Sequence, residues 1–151
     1  MSAALHVVKY PKGCPSKGFF LPALNSFTLK SYSDVDWASC LDSRRSLTGF
    51  CIFLGTTLVS WKTKKQTTVS RSTIEAEYRS MVVVICEIRW ISFLLCDFGI
   101  SVSLPVVLHC DNKAAMHITV NPIFHDCIKH IEIDCHVRNA YKEGLISMSA
   151  V

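Results

Sequence analysis

Residues Leu104 to Cys110 read LPVVLHC, a continuous apolar run of strand length that stops at an acidic residue, Asp111. A strand with apolar side chains on both faces belongs in a parallel position inside a sheet, covered on each side. Parallel neighbours need long crossover connections, usually helices. The run therefore predicts an α/β layered fold and argues against an open antiparallel sheet with one wet face. Asp111 follows buried positions directly, so it must be exposed at the strand end or satisfied by partners.

The segments upstream supply the rest of the sheet. SFTLKSYSD, from Ser26 to Asp34, alternates apolar and polar residues as a half-buried strand does. SRRSLTGFCIFLG and TLVSWKT read as two more strands, joined tightly at Gly55-Thr56-Thr57. A long helix follows, with Ser72 and Glu75 spaced as a capping box and Gly99 as its stop. Asn112 is placed to cap a short helix that Pro122 closes, and a further helix is expected from about Lys129 to Lys142. LISMSA alternates again as a last strand. Ala3 to Tyr10 can make one or two helical turns before Pro11 and Gly13 stop them, and Cys14 to Leu21 reads as a linker or strand lead-in. The order β-β-β-α-β-α-α-β implies a mixed five-stranded sheet flanked by helices.

Composition narrows the function classes. The chain has 151 residues, half of them apolar, which is enough for one domain with a core. Met81 to Phe98 is the longest apolar stretch, but Glu87, Arg89 and Asp97 interrupt it, so a core helix is expected rather than a membrane span. Eight cysteines occur without a Cys-x-x-Cys pair, and they sit in apolar stretches as small hydrophobes. Met1 to Tyr10 lacks the apolar core of a secretory leader, so a reduced, intracellular protein is expected and a secreted one is not. A net charge of +4 suits a phosphate binder but also many proteins that bind none.

Three acidic residues fall at the ends of elements: Asp34 at the end of the first strand, Glu77 in the first turns of the long helix, and Asp111 after the apolar strand. Such carboxylates, brought together, can hold hard divalent cations, which prefer oxygen ligands. The other reading is structural, with strand-end caps and a helix-dipole partner. WKTKKQTTVSR places Lys62, Lys64, Lys65 and Arg71 just before Glu77, either as a phosphate-backbone contact or as a solvated loop; Arg44 and Arg45 are weaker candidates. Cys127, His130, Cys135 and His136 have no recognised zinc spacing. His125 and His130 read as structural, with a proton shuttle as the alternative. Trp37, Trp61 and Trp90 are expected in the core or at its rim.

Four blocks occur in order: YSDVDWASCLDSRRSLTGFCIFLG, LVSWKTKKQTTVSRSTIEAEYRSM, LHCDNKAAM and KHIEIDCHVR. Together they resemble the ribonuclease H domain of copia-type retrotransposon Pol polyproteins, over roughly Ser31 to Gly144. HVVKYPKGCPSKGFF resembles the segment joining the reverse transcriptase to that domain. The resemblance implies a ribonuclease H fold at 22–151 after a reverse-transcriptase connection at 1–21. It implies an enzyme that hydrolyses the RNA strand of RNA–DNA hybrids with two Mg²⁺ ions, Mn²⁺ serving as a substitute. Asp34, Glu77 within EAEY and Asp111 within CDN match the catalytic, metal-binding carboxylates; Glu75 and Asp36 are neighbours that do not match. The order Asp–Glu–Asp differs from the Asp–Asp–Glu of retroviral-type integrases.

The chain departs from the pattern at three places. Pro11 stands where the family usually has Leu, and Ser39 where it usually has Gly. The family's last strand leads to a helix carrying an Ala-Asp pair, whereas this sequence stops at ISMSAV, with Asp134 and Glu143 upstream of that place. The expectation is a domain truncated before its fourth carboxylate. The alternatives to an enzyme are an inactive remnant that at most binds nucleic acid, and an interaction module using the uncovered apolar surface.

Overall fold

The computed structural model describes residues 2–14, 18, 20–120 and 134–150. Its elements are α1 (Ser2–Gly13), β1 (Thr28–Asp36), β2 (Leu47–Leu54), β3 (Thr57–Lys65), α2 (Thr73–Asp97), β4 (Ser103–Cys110), α3 (Lys113–Val120), α4 (Asp134–Lys142) and β5 (Ile146–Ala150). The strands form one five-stranded mixed sheet in the order β3-β2-β1-β4-β5. β1, β2 and β3 pair antiparallel, whereas β1–β4 and β4–β5 pair parallel. The α/β architecture expected from the apolar run is present.

Local chemistry explains the boundaries. Gly55 takes φ +60 in the β2–β3 turn, and a Cβ there would collide with the Asn25 side chain and the Ser26 carbonyl, so glycine is required twice over. Asn25 clamps that turn: its amide donates to the Leu54 carbonyl at 2.7 Å, and its Oδ1 accepts the Thr56 N–H at 3.2 Å. At the start of α2 the Ser72 hydroxyl accepts the Glu75 N–H at 3.2 Å, and Glu75 Oε2 accepts the Arg71 N–H at 2.8 Å. The reciprocal cap is thus made, reaching one residue further back than the usual box. Gly99, at φ +74, ends the helix, and the Ile100 N–H returns to the Leu95 carbonyl at 2.9 Å.

Three expectations need correction. α1 continues through Pro11 to Gly13, because a proline so near the helix end removes only one amide from a final turn. β4 is buried on one face only: Val106, Leu108 and Cys110 are buried, while Val107 and His109 are half-buried. The reason is that α2, α3 and α4 contribute to a single core cluster with one face of the strands. That cluster includes Leu29, Ile52, Met81, Ile88, Leu108, Val137 and Ile146. Trp37, Trp61 and Trp90 are exposed rather than core residues. Trp61 lies on the edge strand β3, and the Trp37 Nε1–H donates to the Ser70 carbonyl at 3.2 Å. Pro122, His125, Cys127, Lys129 and His130 lie outside the described residues, and so does the side chain of Cys135. His136 is exposed on α4.

Candidate active site

The parallel pairing of β1 with β4 aligns the acidic residues. Tyr32 sits opposite His109, so two residues further along each strand come Asp34 and Asp111. Both are exposed, and both line a depression with Tyr32, Ser33, Gly49, Phe50 and Cys51. Asp34 Oδ1 accepts the Val35 N–H at 2.8 Å. Asn112 caps α3 just past the site, its Oδ1 accepting the Ala115 N–H at 3.0 Å, so the chain turns away directly after Asp111.

Glu77 reaches the same corner from α2 and is only 6% exposed. Burial pushes its carboxyl up from 4.5 to about 7, and the negative charges of Asp111 and then Asp34 push in the same direction. A buried carboxylate beside two others is an electrostatic arrangement that a cation relieves. Donor atoms of Glu77, Cys110 and Asp111 lie within 4.8 Å of one another. The Cys110 Sγ is 4.0 Å from Glu77 Oε2, and burial pushes the thiol up to about 11. Among the described residues, Asp34 is not within that tight donor set.

Cys110 is the functional candidate that sequence reasoning passed over, having read the cysteines as small hydrophobes. Strand alternation carried the signal: Cys110 shares a face with Val106 and Leu108, the face on which α2 packs. Cys40 also departs from that reading. Hydrogen bonds from the Ser43 side chain and backbone hold its thiol down at about 7, with help from the Lys65 ammonium 3.5 Å away. Glu75 is engaged elsewhere, pairing with Arg79 at 2.9 Å and capping α2, and Asp36 is exposed at the end of β1.

The basic residues divide. Lys62, Lys64 and Lys65 stand exposed on the edge strand β3 and line a groove with Gln66, Arg79 and Val83. Arg71 is exposed at the start of α2, outside that lining. Arg44 and Arg45 are exposed in the β1–β2 loop.

The chain is 42% identical over 146 residues to the retrovirus-related Pol polyprotein from transposon RE2 of Arabidopsis thaliana, a match covering 96% of the chain. It is 41% identical over 147 residues to the corresponding polyprotein from transposon RE1 of the same plant. In fold it is similar to the N-terminal RNase H domain of rv2228c from Mycobacterium tuberculosis, with a TM-score of 0.54 at 12% identity over 83% of each chain. LC11-RNase H1, crystallised in complex with an RNA/DNA hybrid, gives a TM-score of 0.54 at 11% identity, covering 82% of this chain and 84% of its own. Sequence and fold together mark the chain as a ribonuclease H-like region of a retrotransposon Pol polyprotein. No protein-family model matches it. The ribonuclease H-like region spans about a tenth of the length of those Pol polyproteins. Among its described residues no helix is long and apolar enough to cross a membrane.

Proposed function

We propose that this region is the ribonuclease H of a copia-type Pol polyprotein, an endonuclease that hydrolyses the RNA strand of RNA–DNA hybrids. The observation that carries the proposal is Glu77, buried beside Asp111 and Asp34 and held near neutrality by burial and by their charge. Oxygen donors of that kind fit Mg²⁺, with Mn²⁺ as a substitute. Asp34, Glu77 and Asp111 would hold two ions, which when bound supply Lewis-acid activation at the attacked phosphorus and charge neutralisation at the leaving oxygen. The chain's own contribution is to fix the carboxylates. Asp34 and Asp111 are set level by strand pairing, and Glu77 is anchored by a helix whose other residues fill the core.

Lys62, Lys64, Lys65 and Arg71 serve the phosphate backbone of the hybrid, a contact independent of sequence and weakened by salt. In this reading residues 1–21 connect to a reverse transcriptase domain, residues 22–151 form the nuclease, and the hybrid arises inside the cell during reverse transcription. One observation favours a second reading, a fold that binds nucleic acid without cleaving it: the third donor in the tight set is Cys110 rather than Asp34.

The test is cleavage of a labelled RNA–DNA hybrid by the purified chain with Mg²⁺ or Mn²⁺, beside an Asp34→Asn control. RNA-strand cleavage that disappears with the control and with chelator supports the nuclease. A folded chain that binds hybrid and leaves it intact establishes the second reading.

A further inference from the structure

We propose that the outward face of α2 is a dimerisation seam, on which a second copy of this chain packs its own α2 in antiparallel orientation. α2 has two apolar faces. One, with Met81, Ile85 and Ile88, is buried in the core. The other carries Val83, Cys86, Trp90 and Phe93, all exposed; Val83 is 42%, Trp90 58% and Phe93 70% open to solvent. Single exposed apolar residues are ordinary, but a continuous stripe of them marks an interaction surface. With Arg79 before it and Asp97 after it, the stripe advances by four and three residues in turn. That is the 3.5-residue repeat with which two helices seat side chains in each other's gaps. At 1.5 Å per residue the seam is about 27 Å long.

The ends of the seam select the occupant and its direction. Arg79 stands at one end and Asp97 at the other. With a two-fold axis at the level of Ile88, midway between them, an antiparallel copy sets Val83 against the partner's Phe93, Cys86 against the partner's Trp90, and Arg79 against the partner's Asp97. Small side chains then face large ones in the middle, and each end charge meets its opposite. A parallel copy would place Arg79 beside the partner's Arg79 and Asp97 beside the partner's Asp97, and like charges suppress such a pairing. A second observation concerns Asp97 alone. It lies in the last turn of α2, which holds no basic residue. The carbonyl end of a helix is negative, so a cation is favoured there and a carboxylate is not. Among the described residues the ion pairs are Arg79–Glu75 and Arg89–Glu143, which leave Asp97 uncompensated. Lys62, Lys64 and Lys65 line the groove beside Arg79, so the partner's Asp97 arrives in a basic field. The seam does not rest on the nuclease reading.

The test is sedimentation velocity of the chain without nucleic acid, from low to high micromolar concentration, under reducing conditions that exclude a Cys86 disulfide. A monomer–dimer equilibrium is expected. Trp90→Glu, an exposed change, should weaken dimerisation by about 100-fold or more. Asp97→Arg should weaken it about tenfold at low salt, while raising the melting temperature of the monomer because it corrects the charge at the helix end. Arg79→Asp should weaken it similarly, and the two exchanges together should recover dimerisation to within about threefold of the unaltered chain. In a parallel dimer each exchange replaces one like-charged pair with another, so unchanged affinity in both single variants would overturn the antiparallel seam. A chain that stays monomeric at every concentration would overturn it too and leave the stripe to a different partner. A dimer that survives Trp90→Glu, or a double exchange that recovers nothing, is equally fatal. Circular dichroism separates a lost dimer from a lost fold. If Arg79→Asp unfolds, Trp90→Glu and Asp97→Arg decide without it.

Discussion

At the centre of the sheet, Asp34 and Asp111 stand on adjacent parallel strands with Glu77 buried beside them. At its edge, on β3, Lys62, Lys64 and Lys65 stand in water. Both regions concentrate charge of one sign, but the first is partly buried and the second is exposed. Glu77 is desolvated by the α2 interface and cannot move away from its neighbours, so its protonation shifts. The lysines keep their solvation and give a field rather than a fixed geometry. Chemistry that needs a defined donor position suits the first arrangement, and strand-following affinity suits the second.

The packing contrast gives the largest expected effect. Leu108→Ala, in the fully buried face of β4, should cost about 2–5 kcal/mol in denaturant unfolding. Val59→Ala on the half-open edge strand should stay within about 0.5 kcal/mol. Equal costs would erase the distinction between a rigid centre and a tolerant edge. Next come the carboxylates. Asp34→Asn or Asp111→Asn should lower hybrid cleavage by at least about 100-fold while leaving the melting temperature nearly unchanged, since both are exposed.

A smaller effect concerns pH. The folded pKa of Glu77, about 7, exceeds its ordinary value of 4.5, so between those values the folded state holds more protons than the unfolded state. Stability of the cation-free chain should therefore fall as pH rises through that window, and Glu77→Gln should flatten the slope. An unchanged slope in Glu77→Gln would show that the carboxyl is not desolvated as described. The smallest effect belongs to the edge. Each of Lys62→Ala, Lys64→Ala and Lys65→Ala should reduce the salt dependence of hybrid binding by about one unit of slope. Loss of cleavage at saturating hybrid in any of them would place that lysine in the chemistry and break the division.

Much of this is legible in the sequence. Strand alternation, the capping residues at Ser72 and Glu75 and the stop at Gly99 depend on nearest neighbours along the chain, and each formed as read. The apolar run correctly implied a parallel position for β4 but overstated its burial, because periodicity cannot say whether a second layer covers the far face. Trp61 and Trp90 misled for the same reason: hydrophobicity gives a tendency toward the interior, and exposure depends on what packs opposite.

By itself, the sequence determined the element types and their order, and placed Glu77 in the first turns of α2 and Asp111 directly after β4, because these follow from local backbone chemistry and side-chain period; β1 runs two residues beyond the Asp34 at which the sequence had ended it. Only the tertiary structure decided that Asp34 and Asp111 stand level, that Glu77 is desolvated between them, and that Cys110 rather than Asp34 completes the tight donor set. Those are consequences of strand register and of the face on which α2 lies. Residues 33 to 77 positions apart in the chain acquire distances and a shared dielectric only when the sheet and helix close on one another.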